Sequence, residues 1–387
     1  MEGVSRKELI RPVKRAVVKV GSGVLTRKNG LNMNVIDDLT MEICGLRKKG
    51  IEIILVSSGA IAAGLKKIGM SKRPQSVSQQ QAMAAIGQSS LIKAYEEAFS
   101  RQGHKVAQVL LTRDDLTHRS RYLNARNTLI TLLSWKIIPI INENDTVVVD
   151  EIKFGDNDNL SAMVTNLTGS HLLVNLTDID GLFDKDPRIH KHARIIKVVK
   201  KVDKKVAKLA GAIPGFLGRG GMASKVNAAR KVALGGVPTI IANGLKPGIL
   251  NRIFAGKEEG TLFLPREVPL GSRKHWIAFT KSPNGELVID DGAEKALVMH
   301  GKSLLPSGVK EVKGRFSLGS SVLLIRESGK KVAVGMVNYD SADIKKIMGA
   351  KTSEIETRLG FKHDDEVIHR DNLILASEMS GEDQYVN

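Results

Sequence analysis

Residues Ile137–Thr165 read IIPIINENDTVVVDEIKFGDNDNLSAMVT. A proline-bounded apolar run, Ile137–Ile141, gives way to Asn142-Glu143-Asn144-Asp145. A second polar knot follows at Gly155-Asp156-Asn157-Asp158-Asn159. Leu160, Met163, Val164 and Leu167 then recur at the spacing of one helical face. The pattern predicts a buried strand, two polar loops and a helix capped by the Asp/Asn cluster. Turn chemistry alone accounts for a single such knot, because Asn, Asp and Gly build turns. Two knots in succession, where a strand ends and a helix begins, are what a ligand site of an α/β protein requires.

The surrounding chain has the composition for such a fold. Its 387 residues suggest two or three domains. An apolar share of 42% is ample for large cores, and only 4% aromatics leaves aliphatic packing dominant. A single cysteine, Cys44, excludes an internal disulfide and any Cys-rich metal site. It lies in a helical pattern beside Ile43 and Leu46, so a buried structural thiol is expected. The first residues, MEGVSRKELIRPVKR, are charged and lack the apolar centre of a secretory signal. No apolar run approaches the ~20 residues of a membrane span. A soluble, cytoplasmic protein is therefore expected.

Outward from the opening stretch, aliphatic runs alternate with helical patterns. Arg15–Val20 reads as a strand entering the turn Gly21-Ser22-Gly23. Ile36, Leu39, Ile43 and Leu46 mark a helix ended by Lys48-Lys49-Gly50. Ile51–Val56 is a second strand, and Ser57-Ser58-Gly59 opens a small-residue helix. Ser76–Arg101 reads as a long helix with a candidate break at Gly87. Val106–Leu111, Ile137–Ile141, His171–Leu176 and Val237–Ala242 are further strands; Arg121–Trp135, Lys201–Leu209 and Met222–Leu234 are helices. A loop at Gly211–Gly221 carries five glycines and one proline. Continuous aliphatic strands alternating with helices predict a mostly parallel sheet covered on both faces.

This first domain is read as residues 1–266, followed by a Pro-, Gly- and charge-rich linker at 267–274. Beyond it the texture changes to short alternating runs: His275–Thr280, Glu286–Ile289, Val322–Arg326 and Val332–Val337. With short helices at Ala293–His300 and Ser341–Met348, residues 275–365 read as a small mostly-β barrel-like unit. The tail, 366–387, shows no clear pattern after His369 and is expected to be mobile.

Several strand ends carry the residues that bind anions. Lys19 ends the first strand beside the backbone N–H groups of Gly21-Ser22-Gly23. Ser57-Ser58-Gly59-Ala60 brings hydroxyls to a helix N-terminus. Gly218-Arg219-Gly220-Gly221-Met222-Ala223-Ser224-Lys225 is a glycine loop feeding a helix. Such loops admit close backbone approach to a phosphate, and lysines supply point charge. A lone lysine is ordinarily a solvated surface group, but one at the buried end of an aliphatic strand fits that role poorly. The common nucleotide motifs are absent: Thr26 stands where a dinucleotide fingerprint needs its third glycine. Gly301-Lys302-Ser303 mimics the end of a P-loop, but Ala296 occupies the first glycine position. No Ser/His/Asp set or metal-spaced histidine pair stands out, and His171 at the head of a strand reads as structural.

The segments VVKVGSGVL, VSSGAIAAG, INENDTV, FGDNDNLSA, LTDIDGLF and GRGGMASK resemble, in order, the motifs of the glutamate 5-kinases of the amino acid kinase family. The C-terminal unit resembles a PUA domain. The resemblance implies transfer of the ATP γ-phosphoryl group to the side-chain carboxylate of L-glutamate, the first step of proline biosynthesis. It implies that Lys19 and Lys225 stabilise the transferring group and that Asp158 orients them. It points to Ser58, Asp145 and Asn157 for glutamate, with Asp145 pairing the α-ammonium while Ser58 and Asn157 donate to a carboxylate. For ATP it points to Lys19, Gly21, Gly23, Thr177, Asp178 and the run Arg219, Gly220, Gly221, Met222, Ala223, Ser224 and Lys225. Related enzymes often carry a small hydroxyl residue at the position of Arg219; an arginine there either adds a phosphate contact or, as expected here, points into solvent. Mg²⁺ is implied with ATP, held mainly by phosphates and water. A dimer or tetramer and feedback inhibition by proline are also implied.

The charge chemistry of the reaction agrees with this expectation. A carboxylate nucleophile with a solution pKa of about 4.3 is already ionised at neutral pH, so no general base is needed. Catalysis reduces to positioning and positive charge. Relatives acting on aspartate, acetylglutamate, carbamate or a nucleoside monophosphate form the same-class alternative. The different-class alternative is nucleic-acid binding, suggested by the PUA-like unit and the net charge of +18. The lysine run Lys197–Lys208 lacks the interleaved aromatics of a base-stacking surface.

Overall fold

The computed structural model describes residues 5–27, 30–70, 74–147, 157–211, 221–267, 269, 274, 277 and 283–380. The chain divides into two compact units, Met1–Pro269 and Leu270–Asn387.

The first unit is built on an eight-stranded sheet. Its strands are β1 (Arg15–Val20), β2 (Glu52–Ser57), β3 (Val106–Leu111), β4 (Ile138–Glu143), β5 (Leu172–Thr177), β6 (Val198–Val199), β7 (Thr239–Asn243) and β8 (Thr261–Phe263). Their order is β3-β4-β2-β1-β5-β7-β8-β6. Pairing is parallel from β3 to β7, and β8 runs antiparallel to β7. The expectation of a mostly parallel sheet is thus met, with an antiparallel addition at one edge. Residues of β4 and β5 are buried throughout, as a strand covered on both faces requires. The chain steps from β1 outward through β2, then returns to place β5 on the other side of β1. The carboxyl ends of β1 and β5 therefore flank a topological switch point, the usual seat of an α/β ligand site.

Strand alternation sorts side chains onto two faces. Ala16, Val18 and Val20 join Val174 and Leu176 in a core under helices α1 (Met33–Lys48) and α3 (Val77–Ser100). Val17 and Leu173 face the opposite way, into a core with α4 (Arg119–Ser134), α5 (Asn157–Leu167) and α7 (Met222–Leu234), the last packed in turn against α6 (Lys204–Gly211). Lys19 and Asn175 belong to this second face by the same alternation, and it is the face on which α5 lies.

One local departure from the sequence expectation has a physical cause. Helix α3 runs unbroken through Gly87, which serves packing rather than a break. A Cβ on Gly87 would stand 1.8 Å from the carbonyl oxygen of Ala60, and one on Gly64 would stand 2.0 Å from that of Met83. The glycine pair lets α3 and α2 (Ala60–Lys67) touch backbone to backbone. Cys44 is 2% exposed, and burial pushes its thiol pKa up, as a structural thiol demands. His171 accepts the backbone N–H of Arg15 at 3.2 Å through Nδ1, a structural contact.

The second unit holds a five-stranded sheet: β9 (Glu286–Ile289), β10 (Val309–Lys313), β11 (Ser321–Ile325), β12 (Lys331–Met336) and β13 (Leu373–Leu375), in the order β10-β9-β11-β12-β13. Leu287, Ile289, Val322, Leu324, Tyr339, Ile344 and Ile347 form its core with helix Ser341–Ile347. The expected strand at His275–Thr280 lies outside the described residues apart from Ile277, which is buried and helical rather than extended, contrary to that expectation. Strand β13 corrects the expectation that nothing regular follows His369: Leu373–Leu375 pairs antiparallel with β12. Its three residues are too few to show alternation. Gly301, in the P-loop mimic, is a left-handed C-cap (φ 60°) of helix Asp291–His300.

Candidate active site

The site is assembled at the carboxyl ends of the central strands. Lys19 is the penultimate residue of β1, Asp158 sits in the first turn of α5, and Ser224 and Lys225 in the first turn of α7. Lys19 Nζ donates to Asp158 Oδ1 at 2.5 Å, and Lys225 Nζ to Oδ2 at 3.1 Å. Ser224 Oγ donates to Oδ2 at 2.6 Å, and Asn175 Nδ2 to Oδ1 at 2.9 Å. The carboxylate thus receives four donors, which fills its acceptor capacity. Lys19, Asp158 and Lys225 are 4%, 3% and 6% exposed. Charges this deep are costly unless paired or put to use. Burial alone would push the Asp158 carboxyl up; the Lys19 and Lys225 ammoniums, with the Lys19 and Ser224 hydrogen bonds, outweigh it. Its pKa is held well below the usual carboxylate range.

The glycines keep backbone close to this array. A Cβ on Gly21 would lie 3.7 Å from Lys19 Nζ and 3.3 Å from the carbonyl oxygen of Leu176. The Gly21 N–H donates to that same carbonyl at 3.0 Å, tying the turn after β1 to β5. A Cβ on Gly23 would press on the Asp178 side chain at 3.0 Å. Thr177 Oγ1 donates to Asp178 Oδ1 at 3.0 Å. Lys19, Gly21, Gly23, Thr177 and Asp178, singled out from sequence, therefore gather where β1 and β5 end. Gly221 is the N-cap of α7, and Met222 and Ala223 form its first turn with Ser224 and Lys225. That helix N-terminus adds positive electrostatic character to the site. Arg219 and Gly220 lie outside the described residues, as do Gly155 and Asp156 of the second knot.

A chain of amides forms the neighbouring wall. Asn157 Nδ2 donates to Ser58 Oγ at 2.9 Å, to Asn142 Oδ1 at 3.0 Å and, more weakly, to the Ser57 carbonyl at 3.4 Å. Asn142 Nδ2 in turn donates to Gln88 Oε1 at 2.8 Å. Asn157 Oδ1 is buried without a hydrogen-bond partner among the described residues. This refines the expectation for Asn157: its amide hydrogens are already engaged, and its oxygen is the atom left to meet a donor. Asp145 lies in a 3₁₀ turn, Asp145–Val147, that packs against α3, and is 9% exposed. Behind the wall Ser57 Oγ and Tyr95 OH share a hydrogen bond of 3.0 Å.

Three participants were missed from sequence: Asn175, Asn142 and Gln88. Asn142 stands inside the first polar knot, where its neighbours mask any separate signal. Asn175 was legible as the one amide in LLVNLT, a strand buried throughout. Gln88 gave no signal, because a polar residue on a long helix normally faces water.

Comparison with known proteins agrees with this geometry. The sequence profile of the amino acid kinase family matches residues 14–243, and that of the PUA domain residues 285–359. The chain is 53% identical over 371 residues to the glutamate 5-kinase of Geobacter sulfurreducens, covering 96% of this chain and 100% of that one. It is 55% identical over 371 residues to the glutamate 5-kinase of Geobacter metallireducens, with the same coverage. Over 362 residues it is 51% identical to the glutamate 5-kinase of Caldanaerobacter subterraneus, covering 93% and 97%. A profile match across more than half of the chain, around a buried lysine–aspartate–lysine array at the switch point of a parallel sheet, settles the assignment: the chain belongs to the amino acid kinase family.

Proposed function

We propose that this chain is a glutamate 5-kinase, forming L-glutamate 5-phosphate and ADP from L-glutamate and ATP as the first step of proline biosynthesis. The observation that carries the reading is the pair of buried ammoniums sharing the Asp158 carboxylate. Together with relatives of that name at about half identity over nearly the whole chain, it supports this activity above others of the family.

The chemistry follows from charge. A γ-carboxylate oxygen of glutamate attacks the γ-phosphorus; the bond from that phosphorus to the bridging oxygen breaks, and ADP leaves with the electron pair. No proton need move, because the nucleophile is already an anion. The obstacle is repulsion between two anions, and fixed positive charge removes it. Lys19 and Lys225 supply that charge from opposite sides, and Asp158 holds both ammoniums at fixed positions in the absence of ligand. Gly23 and the start of α7 bring backbone N–H groups to the phosphates, Gly21 keeps the turn close beside Lys19, and Thr177, Asp178 and Arg219–Lys225 stand on the nucleotide side. Asp145 and Asn157 Oδ1 are acceptors suited to the α-ammonium of glutamate, and Ser58 can donate to a carboxylate.

Mg²⁺ belongs to this reading as the companion of ATP, carried by phosphate oxygens and water. Asp158 does not fit as its ligand, since both carboxylate oxygens already receive two donors each. Among the described residues no helix is long and apolar enough to cross a membrane. A cytoplasmic homo-oligomer inhibited by proline at a site overlapping that of glutamate completes the proposal.

The test is ATP- and Mg²⁺-dependent acyl-phosphate formation trapped with hydroxylamine. L-glutamate should give product, L-aspartate, N-acetylglutamate and UMP should not, and Lys19→Ala should abolish it. Turnover of another acceptor instead of glutamate would overturn the substrate while leaving the family intact.

A further inference from the structure

We infer that Asn175 is a positioning residue of the phosphoryl-transfer site, holding Asp158 so that the Lys19 ammonium can engage the transferring group. The inference rests on the kinase reading above. Asn175 and Lys19 are lateral partners on adjacent parallel strands, β5 and β1. Both therefore project from the same face of the sheet, toward α5. There they meet on one atom: Asp158 Oδ1 accepts Lys19 Nζ at 2.5 Å and Asn175 Nδ2 at 2.9 Å. An ionised carboxylate only accepts, so this contact fixes which end of the amide faces Asp158.

The position of Asn175 makes no sense for folding alone. It is 0% exposed, within a strand whose other residues are Leu, Val and Thr. Its Oδ1 is buried with no hydrogen-bond partner among the described residues. A half-satisfied amide in an aliphatic strand is destabilising, and an apolar residue there would pack without that penalty. What the amide provides is a neutral donor on Asp158 Oδ1. In the resting site it shares that oxygen with Lys19. When negative charge develops on the transferring phosphoryl group, Lys19 is drawn toward it. Asp158 Oδ1 then keeps one donor in a place water does not reach. Lys19 can turn to the phosphate without stranding a buried carboxylate oxygen. The benefit appears only as the reaction proceeds, so it should be read in kcat rather than in substrate affinity.

The experiment compares wild type, Asn175→Leu and Asn175→Asp in the full chain, with hydroxylamine-trapped product and thermal melting measured together. Asn175→Leu is expected to lower kcat about ten- to a hundredfold, the effect of losing one hydrogen bond to a charged group, with KM for glutamate and ATP within about threefold. Its melting temperature should not fall. Asn175→Asp sets a second carboxylate beside Asp158 and should be the worse variant at pH 8. Because like charge and burial favour its protonated form, which can donate as the amide does, its kcat relative to wild type should recover as pH is lowered toward 6. A kcat for Asn175→Leu within about twofold of wild type would overturn the inference. So would an Asn175→Asp to wild-type ratio that does not change with pH. If Asn175→Leu fails to fold, the Asn175→Asp pH ratio still decides. Failure of the underlying reading is distinct: wild type itself would then give no product from glutamate.

Discussion

The two units of this chain handle charge in opposite ways. In the first, Lys19, Asp158 and Lys225 are all at least nine-tenths buried and share one carboxylate. In the second, the densest group among the described residues is Arg326 with Glu294 and Asp291, joined by Lys330 at 3.0 Å from Glu294; Asp291 and Lys330 are largely in water. Net charge divides just as unevenly. Residues 270–387 hold 17 Lys and Arg against 17 Asp and Glu, while residues 1–269 hold 42 against 24. The entire +18 therefore resides on the kinase unit. Buried charge is tolerated only where something uses it, whereas surface pairs form and dissolve at little cost. The same division bears on the nucleic-acid alternative: the net electrostatic attraction for a polyanion lies outside the PUA-like unit that suggested the idea.

The sharpest way to break this comparison is Asp158→Asn. The substitution keeps the shape but leaves two buried ammoniums without their carboxylate. Loss of a preorganised electrostatic element predicts a fall in kcat of about 10²–10³-fold. Removing one partner of a buried pair predicts about 3–5 kcal/mol of destabilisation. Steady-state kinetics and denaturant melts read the two effects separately. Near-wild-type values in both would mean the array is not the working centre.

Acid sharpens the same point. The Asp158 carboxyl is depressed in the folded state by Lys19 and Lys225 against the opposing effect of burial. A carboxyl depressed on folding contributes stability that is fully present above its unfolded value of about 3.9 and is lost as pH falls through the lower folded value. The stability gap between wild type and Asp158→Asn should therefore be constant from pH 7 to about 5 and close below about 4. Denaturant midpoints for both proteins across that range check the sign; a gap that widens in acid would contradict the pairing.

How far the sequence could be read follows from the same physics. Lys19 was legible because a lysine at the end of an aliphatic strand is out of place on a solvated surface. Asp158 was legible because its knot precedes a regular helical face. The sheet was legible because strands buried on both sides need continuous aliphatic runs. Asn175 is hidden as one letter in such a run, although a polar side chain there is as out of place as Lys19. Strands β8 and β13 escaped because three residues cannot display a period, and their pairing is decided by distant neighbours. Gly87 misled because a glycine inside a helix is a breaker in isolation and a packing device once α2 is known to lie against it. The closing of α2 on α3 is tertiary information. Alanine at 87 should overpack this contact, and the clashing atom is backbone, so it cannot rotate away. A loss of about 1–3 kcal/mol, or about 3–10 °C in melting temperature, is expected. A melt unchanged within 1 °C would show that the two helices stand further apart than described.

The smallest effect is expected on the other side of the comparison. Arg326→Ala removes the hub of the Glu294, Asp291 and Lys330 group, the most connected ion cluster of the second unit among the described residues. Connectivity alone would suggest a large loss. Exposure argues otherwise: Asp291 is 79% and Lys330 69% exposed, so water and salt already screen their share of the attraction. Glu294 also keeps Lys330 at 3.0 Å after the arginine is gone, so no carboxylate is left buried and alone. Glutamate kinase kcat and KM should be unchanged, and melting should shift by no more than about 2 °C. The two ion groups differ less in their number of partners than in access to water. Salt should therefore separate them: the small shift from Arg326→Ala should shrink further in 1 M NaCl, whereas the defect of Asp158→Asn should persist there. A salt-insensitive loss of several degrees in Arg326→Ala would show that burial does not separate the two kinds of site.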